Sequence, residues 1–232
     1  YFIDVNVGMH RTGLAPEQVW SFYESITSTR LQFSGLHAYD GHIHQETVTE
    51  RSHESAQMLQ RLQMAAEPFR AAGVDLEQVV VGGTPSFLTD AELYAKVAPG
   101  STVFFSPGTF VYFDSQYARL MPGTFVPAAL ILAQIMDQPG DNIFTLNLGH
   151  KRWAVDQGPV EQFSIAGMKA LRWSEEHTVV QVPAEAGCRL GDYVLMVPRH
   201  VCSTVNLWEY VTVIGENGEI RFAQCPIEGR NR

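Results

Sequence analysis

Two short stretches concentrate the side chains able to do chemistry. The first is Pro198-Arg199-His200-Val201-Cys202, where an imidazole and a thiol stand two positions apart. In an extended chain both leave the same face. Imidazole plus thiolate is a good donor pair for zinc, and it keeps coordination positions open for water or substrate. The alternative is a strand with one buried thiol and one hydrogen-bonded histidine, and spacing alone leaves both open. The second stretch is Gly82-Gly83-Thr84-Pro85-Ser86, followed downstream by Ser106-Pro107-Gly108-Thr109-Phe110. Glycine lets backbone N–H groups approach an anion closely, and Thr84, Ser86 or Thr109 adds a hydroxyl. Each alone reads as an ordinary tight turn. Two on consecutive strand ends point towards a phosphorylated ligand.

Two further stretches join them. Gly8-Met9-His10-Arg11-Thr12-Gly13 carries an arginine that suits a ring nitrogen or an anion, although a lone arginine in a loop is usually a solvated charge. His37-Ala38-Tyr39-Asp40-Gly41-His42-Ile43-His44 offers a tyrosine and three histidines. On a strand His42 and His44 would share a face, which is compatible with metal ligation. For His44 an ordinary surface position is the preferred reading.

The elements that must position these residues follow a βαβα rhythm. Residues 2–7 are apolar and β-branched and stop at Gly8, and Pro16 stands where a helix carrying Val19, Phe22, Tyr23 and Ile26 begins. Residues 31–39 read as a strand, and residues 49–72 as a helix with Ala56, Leu59, Leu62, Met64 and Ala66 on one side and Gly73 at its end. Residues 78–81, 90–97 and 102–105 read as strand, helix and strand. Short connections of this kind argue for parallel strands with helices outside, where ligands sit at the C-terminal strand ends. Open doubly wound sheets and closed barrels share the rhythm, so periodicity does not choose between them. Beyond about residue 125 the pattern changes to short strands, at 129–135, 143–148, 178–182, 193–197, 207–213 and 219–221. Turn signals separate them, among them Gln138-Pro139-Gly140-Asp141. Glu216-Asn217-Gly218-Glu219 predicts a hairpin with a type I′ turn.

Composition excludes some function classes. The net charge of -9, with no basic run, argues against nucleic acid, which needs clustered Lys and Arg. The longest apolar stretch, residues 125–136, is too short and too interrupted to span a bilayer as a helix. Three cysteines at irregular spacing do not form a disulfide framework and fit a reducing, cytoplasmic setting. An ordinary soluble globular composition, 45% hydrophobic and 18% charged, completes this picture.

Taken in order along nearly the whole chain, these motifs resemble the D-threonine aldolase and D-serine dehydratase family of pyridoxal-phosphate enzymes. Asp4-Val5-Asn6-Val7-Gly8-Met9-His10-Arg11-Thr12-Gly13 is similar to its strand-and-loop motif, and Gly35 to His42 to the next strand end. Val81-Gly82-Gly83-Thr84-Pro85-Ser86 resembles its phosphate turn and Pro198-Arg199-His200-Val201-Cys202 its metal motif. Glu175-Glu176-His177 loosely resembles a further feature of the C-terminal domain.

The resemblance implies an incomplete alanine-racemase-like (β/α)8 barrel over residues 1–124, followed by an antiparallel β domain over 125–232 and paired as a homodimer. It implies pyridoxal 5'-phosphate and a divalent metal, often zinc. Arg11 and Tyr39 would lie against the cofactor, Gly82, Gly83, Thr84, Gly108 and Thr109 would hold its phosphate, Tyr39 and His42 would face the substrate, and His200 and Cys202 would bind the metal. The activity implied is that of a lyase on D-β-hydroxy-amino acids. The cofactor is an electron sink and the metal polarises the β-hydroxyl. The His-x-Cys form of the metal motif tilts the expectation towards dehydration and deamination of D-serine or D-threonine type substrates. Retro-aldol cleavage is the alternative, with an amino-acid racemase or a non-catalytic relative behind it.

One feature departs from the family. Its Schiff-base lysine lies on the first barrel strand, upstream of every motif matched here, and Lys96, Lys151 and Lys169 stand at positions that do not resemble it. The expectation is therefore that this chain is part of a longer enzyme that carries the lysine.

Overall fold

A computed structural model describes residues 1–26, 30–94, 96–97 and 99–230, without the side chains of 89–92. Two compact units compose it, Tyr1–Gly108 and Thr109–Arg232. The change falls earlier than the boundary at 124/125 that the sequence pattern suggests. Residues 109–124 are irregular and helical and join the second unit.

In the first unit four strands, β1 (Phe2–Asp4), β2 (Gly35–Ala38), β3 (Gln78–Val81) and β4 (Thr102–Phe105), form a parallel sheet in chain order. Helices α1 (Val19–Ser25), α2 (Val48–Ala71) and α3 (Phe87–Tyr94) connect them. Sequential order without a switch point is what an arc of a barrel gives, whereas a doubly wound sheet reverses. The strand expected from residue 31 begins only at Gly35. There β2 runs so close to β3 that a Cβ would collide with the Gln78 carbonyl.

A capping box starts α2: the Thr47 hydroxyl accepts the Glu50 N–H, and the Glu50 carboxylate accepts the Thr47 N–H. Its buried face is Arg51, Ser55, Met58, Leu59, Leu62, Ala65, Ala66 and Phe69. Leu59, Leu62 and Ala66 fall as expected. Ala56 and Met64 do not: both are exposed, because they lie off the stripe that steps of three and four trace from position 51. Phe69 then packs on Trp20, Tyr23 and Phe33 with ring centroids 5.0–5.3 Å away. The helix expected over 90–97 starts earlier, at Phe87, and ends at Tyr94. Position 95 lies outside the described residues.

The second unit opens with α4 (Ser115–Leu120). A six-stranded antiparallel sheet follows, built from β5 (Ile131–Gly140), β6 (Ile143–Leu146), β7 (Gln162–Phe163), β8 (Lys169–Trp173), β9 (Thr178–Gln181) and β10 (Tyr193–Val197), in the order β7-β10-β5-β6-β9-β8. Ile131, Ala133 and Ile135 alternate into the core with Leu146, Val180, Val194, Met196 and Trp153. Helix α5 (Val201–Val205) comes next, and the hairpin β11 (Tyr210–Ile214) and β12 (Ile220–Pro226) closes the chain. β5 runs through Pro139-Gly140, where the sequence suggested a turn, and the chain reverses at Asn142, which takes φ 58°. The Asn-Gly hairpin forms, but its turn is not type I′. That type needs positive φ at two adjacent residues, and only Gly218 has it, at 79°. The Gly215 carbonyl accepts the Gly218 N–H instead. Among the described residues no helix is long and apolar enough to cross a membrane.

Candidate functional site

In the first unit the four strands end along one edge. Asp4, closing β1, accepts the Thr12 hydroxyl at 2.7 Å and pairs with His37 Nδ1 at 2.7 Å. The Asn6 side-chain oxygen accepts the N–H groups of Gly8 and His10 at 3.2 and 3.1 Å. These bonds shape the loop that carries Arg11, whose exposed guanidinium lies 4.7 Å above the Tyr39 ring. His42 is half-buried, its Nδ1 has no protein partner, and burial pushes its pKa below the usual imidazole value. Arg61, reaching from α2, donates to the Val7 carbonyl at 2.9 Å. Arg61 and His42 converge on Gly8, where a Cβ would collide with the first and come within 2.9 Å of the second.

Residues 42–44 are not a strand, and His44 is exposed. Among the described residues no group of three or more His, Cys, Asp or Glu side chains is arranged to hold a metal ion. Because residues 42–44 are not extended, the shared strand face expected for His42 and His44 is not formed.

The turn after β3 is buried at Gly82, Gly83 and Thr84. Gly82 takes φ +92°, a conformation that favours glycine. Gly83 N–H donates to Ser86 Oγ at 3.2 Å. Ser86 in turn donates to Asp40 Oδ2 at 2.6 Å, and the Tyr94 hydroxyl donates to the same oxygen at 2.8 Å. Asp40 is fully buried, and a Cβ on Gly83 would lie 2.7 Å from its Oδ1. A side-chain-free backbone braced by a buried carboxylate thus forms this turn. Gly108, after β4, is exposed.

The second unit holds the other cluster. Beyond β10 the chain is not extended through Cys202, as the two-residue spacing predicts. His200 is the residue before α5, and Cys202 lies in its first turn, exposed. The helix forms there because a distant carboxylate serves its open N-terminus. Asp114 Oδ2 accepts the Val201 N–H at 3.0 Å, while Oδ1 accepts the Tyr117 N–H at 3.0 Å and caps α4. Burial pushes Asp114 above the ordinary carboxylate range.

Imidazole and thiol meet despite the altered backbone. The hydrogen bond to Cys202 comes first among the causes that push His200 up to about 9, with the Asp156 carboxylate adding to it against the effect of burial. The same bond, with a second from the Thr109 hydroxyl 3.5 Å from Cys202 Sγ, lowers the thiol. Thr109, expected among phosphate ligands, therefore stands beside the thiol.

Asp156, Ser203, Asp114, Asp40 and Arg61 escape sequence reasoning. Asp114 had a legible signal, an Asp immediately before a helical segment. Asp156 had none, since it sits in an irregular loop far upstream of the histidine it meets. The three lysines lie away from the strand ends. Lys151 pairs with Glu176 at 2.9 Å within the 175–177 stretch, Lys169 is in β8, and Lys96 follows α3.

Comparison with known proteins matches the two halves separately. A profile of the alanine racemase N-terminal domain covers residues 1–107, and one of a serine dehydratase domain covers 128–214. D-threonine aldolase of an Arthrobacter species is 27% identical over 219 residues, 91% of this chain and 56% of its own length. The crystal structure of D-threonine aldolase from Filomicrobium marinum superposes with a TM-score of 0.88 at 27% identity, covering 99% of this chain and 62% of that one. D-threo-3-hydroxyaspartate dehydratase from Delftia sp. HT23 shares the fold, at a TM-score of 0.76, 17% identity, and coverage of 98% and 65%. A cysteine-to-alanine variant of a dehydratase of that name has a metal-free form. This chain thus spans about three fifths of the length of its relatives.

Proposed function

Because the chain belongs to the D-threonine aldolase and D-serine dehydratase family, with part of its alanine-racemase-like barrel and its β domain, we propose that the complete protein is a pyridoxal-phosphate- and metal-dependent lyase acting on D-β-hydroxy-amino acids. The observation that carries this reading is the placement of His200, bonded through Nδ1 to the Asp156 carboxylate, two residues before Cys202 at the start of α5. An imidazole and a thiol so placed suit zinc, and two protein donors leave positions for water and a substrate hydroxyl. The strand-end loops fit the cofactor. Gly82, Gly83 and Thr84, with Gly108, supply close-approaching backbone and hydroxyl groups for its phosphate, and Arg11 over Tyr39 offers a cation beside its ring. When bound, pyridoxal phosphate supplies an electron sink for charge at the substrate α-carbon, and a divalent metal supplies a Lewis acid for the β-hydroxyl.

The chain's own residues do the rest. Tyr39 holds the Arg11 guanidinium in place. His42, kept neutral by burial and with Nδ1 unpartnered, is suited to take a proton. His200 and Cys202 would hold the metal that polarises the hydroxyl, and the His-x-Cys form of this motif makes dehydration and deamination of D-serine or D-threonine type substrates the first reading. Retro-aldol cleavage is the second, favoured by the 27% identity to a D-threonine aldolase. Three free thiols fit a reducing, cytoplasmic compartment. Exposed Leu132, Tyr193 and Leu195 on one face of β5 and β10 support a homodimer.

The test is incubation of the complete protein, supplied with pyridoxal phosphate and zinc, with D-threonine, followed by mass spectrometry. 2-Oxobutyrate and ammonia establish dehydration. Glycine and acetaldehyde establish the aldolase. Conversion to L-threonine alone or unchanged substrate removes the lyase reading.

A further inference from the structure

The metal reading above leaves unexplained why an irregular loop of the β domain places a carboxylate on His200. Asp156 Oδ2 bonds His200 Nδ1 and also accepts the Ser203 hydroxyl at 2.9 Å. Ser203 Oγ lies 3.1 Å from the same ring nitrogen. Two bonds just upstream of Asp156 tie the loop to the α5 region. Ala154 N–H donates to Thr204 Oγ1 at 3.1 Å, and Trp208 Nε1 donates to the Arg152 carbonyl at 2.7 Å. Between those bonds the fully buried Trp153 anchors the loop in the core. An incidental surface ion pair has no such scaffold and is worth little. Here five consecutive residues, 152–156, are registered against 203–208 so that one carboxylate meets one ring nitrogen.

We propose that Asp156 is the positioning residue of the metal pair: it engages His200 through Nδ1 and so leaves Nε2 as the nitrogen offered to a divalent cation. The proposal rests on the reading of His200 and Cys202 as ligands. A carboxylate on the far nitrogen of a ligating histidine fixes its tautomer and ring orientation and strengthens it as a donor, and losing such a partner costs about 10–100-fold in metal affinity. Ser203 contributes by filling the second bond of the carboxylate, which keeps Asp156 from rotating away.

The experiment measures zinc affinity of the purified protein by competition with a chromophoric chelator, for the parent, Asp156→Ala, Asp156→Asn, His200→Ala and Cys202→Ala. Histidine ¹⁵N spectra of the zinc-loaded forms show which ring nitrogen is coordinated. Asp156→Ala is expected to lose about 10–100-fold in affinity and to show a mixture of Nδ1- and Nε2-coordinated forms in place of the single Nε2 form. Asp156→Asn loses less, because its amide oxygen still accepts from Nδ1–H. If Asp156→Ala fails to fold, Asp156→Asn carries the test through the spectra. Zinc binding by both Asp156 variants at parental affinity, while His200→Ala and Cys202→Ala lose it, reduces Asp156 to a surface partner and overturns the proposal. Undiminished affinity in His200→Ala and Cys202→Ala removes the metal reading itself, and this proposal falls with it.

Discussion

The two clusters are built by opposite means. At the strand ends of the first unit the groups suited to a ligand are largely backbone, placed by the order of four parallel strands and by close packing that leaves no room for a side chain at Gly8 and Gly83. In the second unit they are side chains, held on a five-residue helix by two carboxylates from elsewhere in the chain. A backbone site tolerates many substitutions but not an added Cβ. A side-chain site tolerates bulk but depends on single hydrogen-bonding partners.

The largest effect should come from Gly35→Ala. The new Cβ would collide with the Gln78 backbone carbonyl in a sheet that cannot yield without parting β2 from β3. We expect a loss on the order of 3 kcal/mol in a urea titration, together with weakened binding of pyridoxal phosphate. Parental stability would mean that the strand ends owe less to sheet register than this comparison claims.

Asp114→Ala comes next. It removes the cap of α4 and the acceptor for Val201 N–H, so a loss of about 2 kcal/mol is expected, with zinc affinity falling alongside it. Unaltered zinc affinity in a destabilised variant would show that His200 and Cys202 hold their geometry without the carboxylate beneath α5. Thr47→Ala sharpens the contrast from the other unit. Loss of the capping box should cost about 1 kcal/mol and leave zinc affinity unchanged. A change in metal binding would mean that the two clusters are coupled.

The smallest effect is a pH dependence at His42. Burial holds its folded pKa below the ordinary value of 6.5, so the unfolded chain takes up a proton first as pH falls. The stability that His42 contributes is complete above 6.5 and is lost as pH falls from there towards the folded value. His42→Gln should abolish that component in urea titrations above and below pH 6.5. An identical pH profile in the variant would assign the acid sensitivity to other groups.

Much of this was legible in the residues. The βαβα rhythm, the glycine-rich strand ends and the alternating strands of the β domain are local patterns, and local patterns survive the absence of coordinates. β8 was not legible, because Lys169–Trp173 is largely exposed and shows no alternation that buries a face. Nor was the conformation at Cys202. Pro198-Arg199-His200-Val201-Cys202 reads as extended after a strand, and only the Asp114 carboxylate, from the other end of the unit, makes a helix start there.

Sequence by itself determined which chemical groups the molecule has and the order in which they meet the chain: a glycine turn, an arginine loop, an imidazole and a thiol two apart. Only the tertiary structure decided which nitrogen of His200 is engaged, which carboxylates hold the pair, and that Thr109 stands beside the thiol. Periodicity reports a residue's own neighbours within a few positions. Asp156 to His200 and Asp114 to Val201 are contacts across long stretches of chain, and they exist only once β5 and β10 have paired and packed their faces into one core.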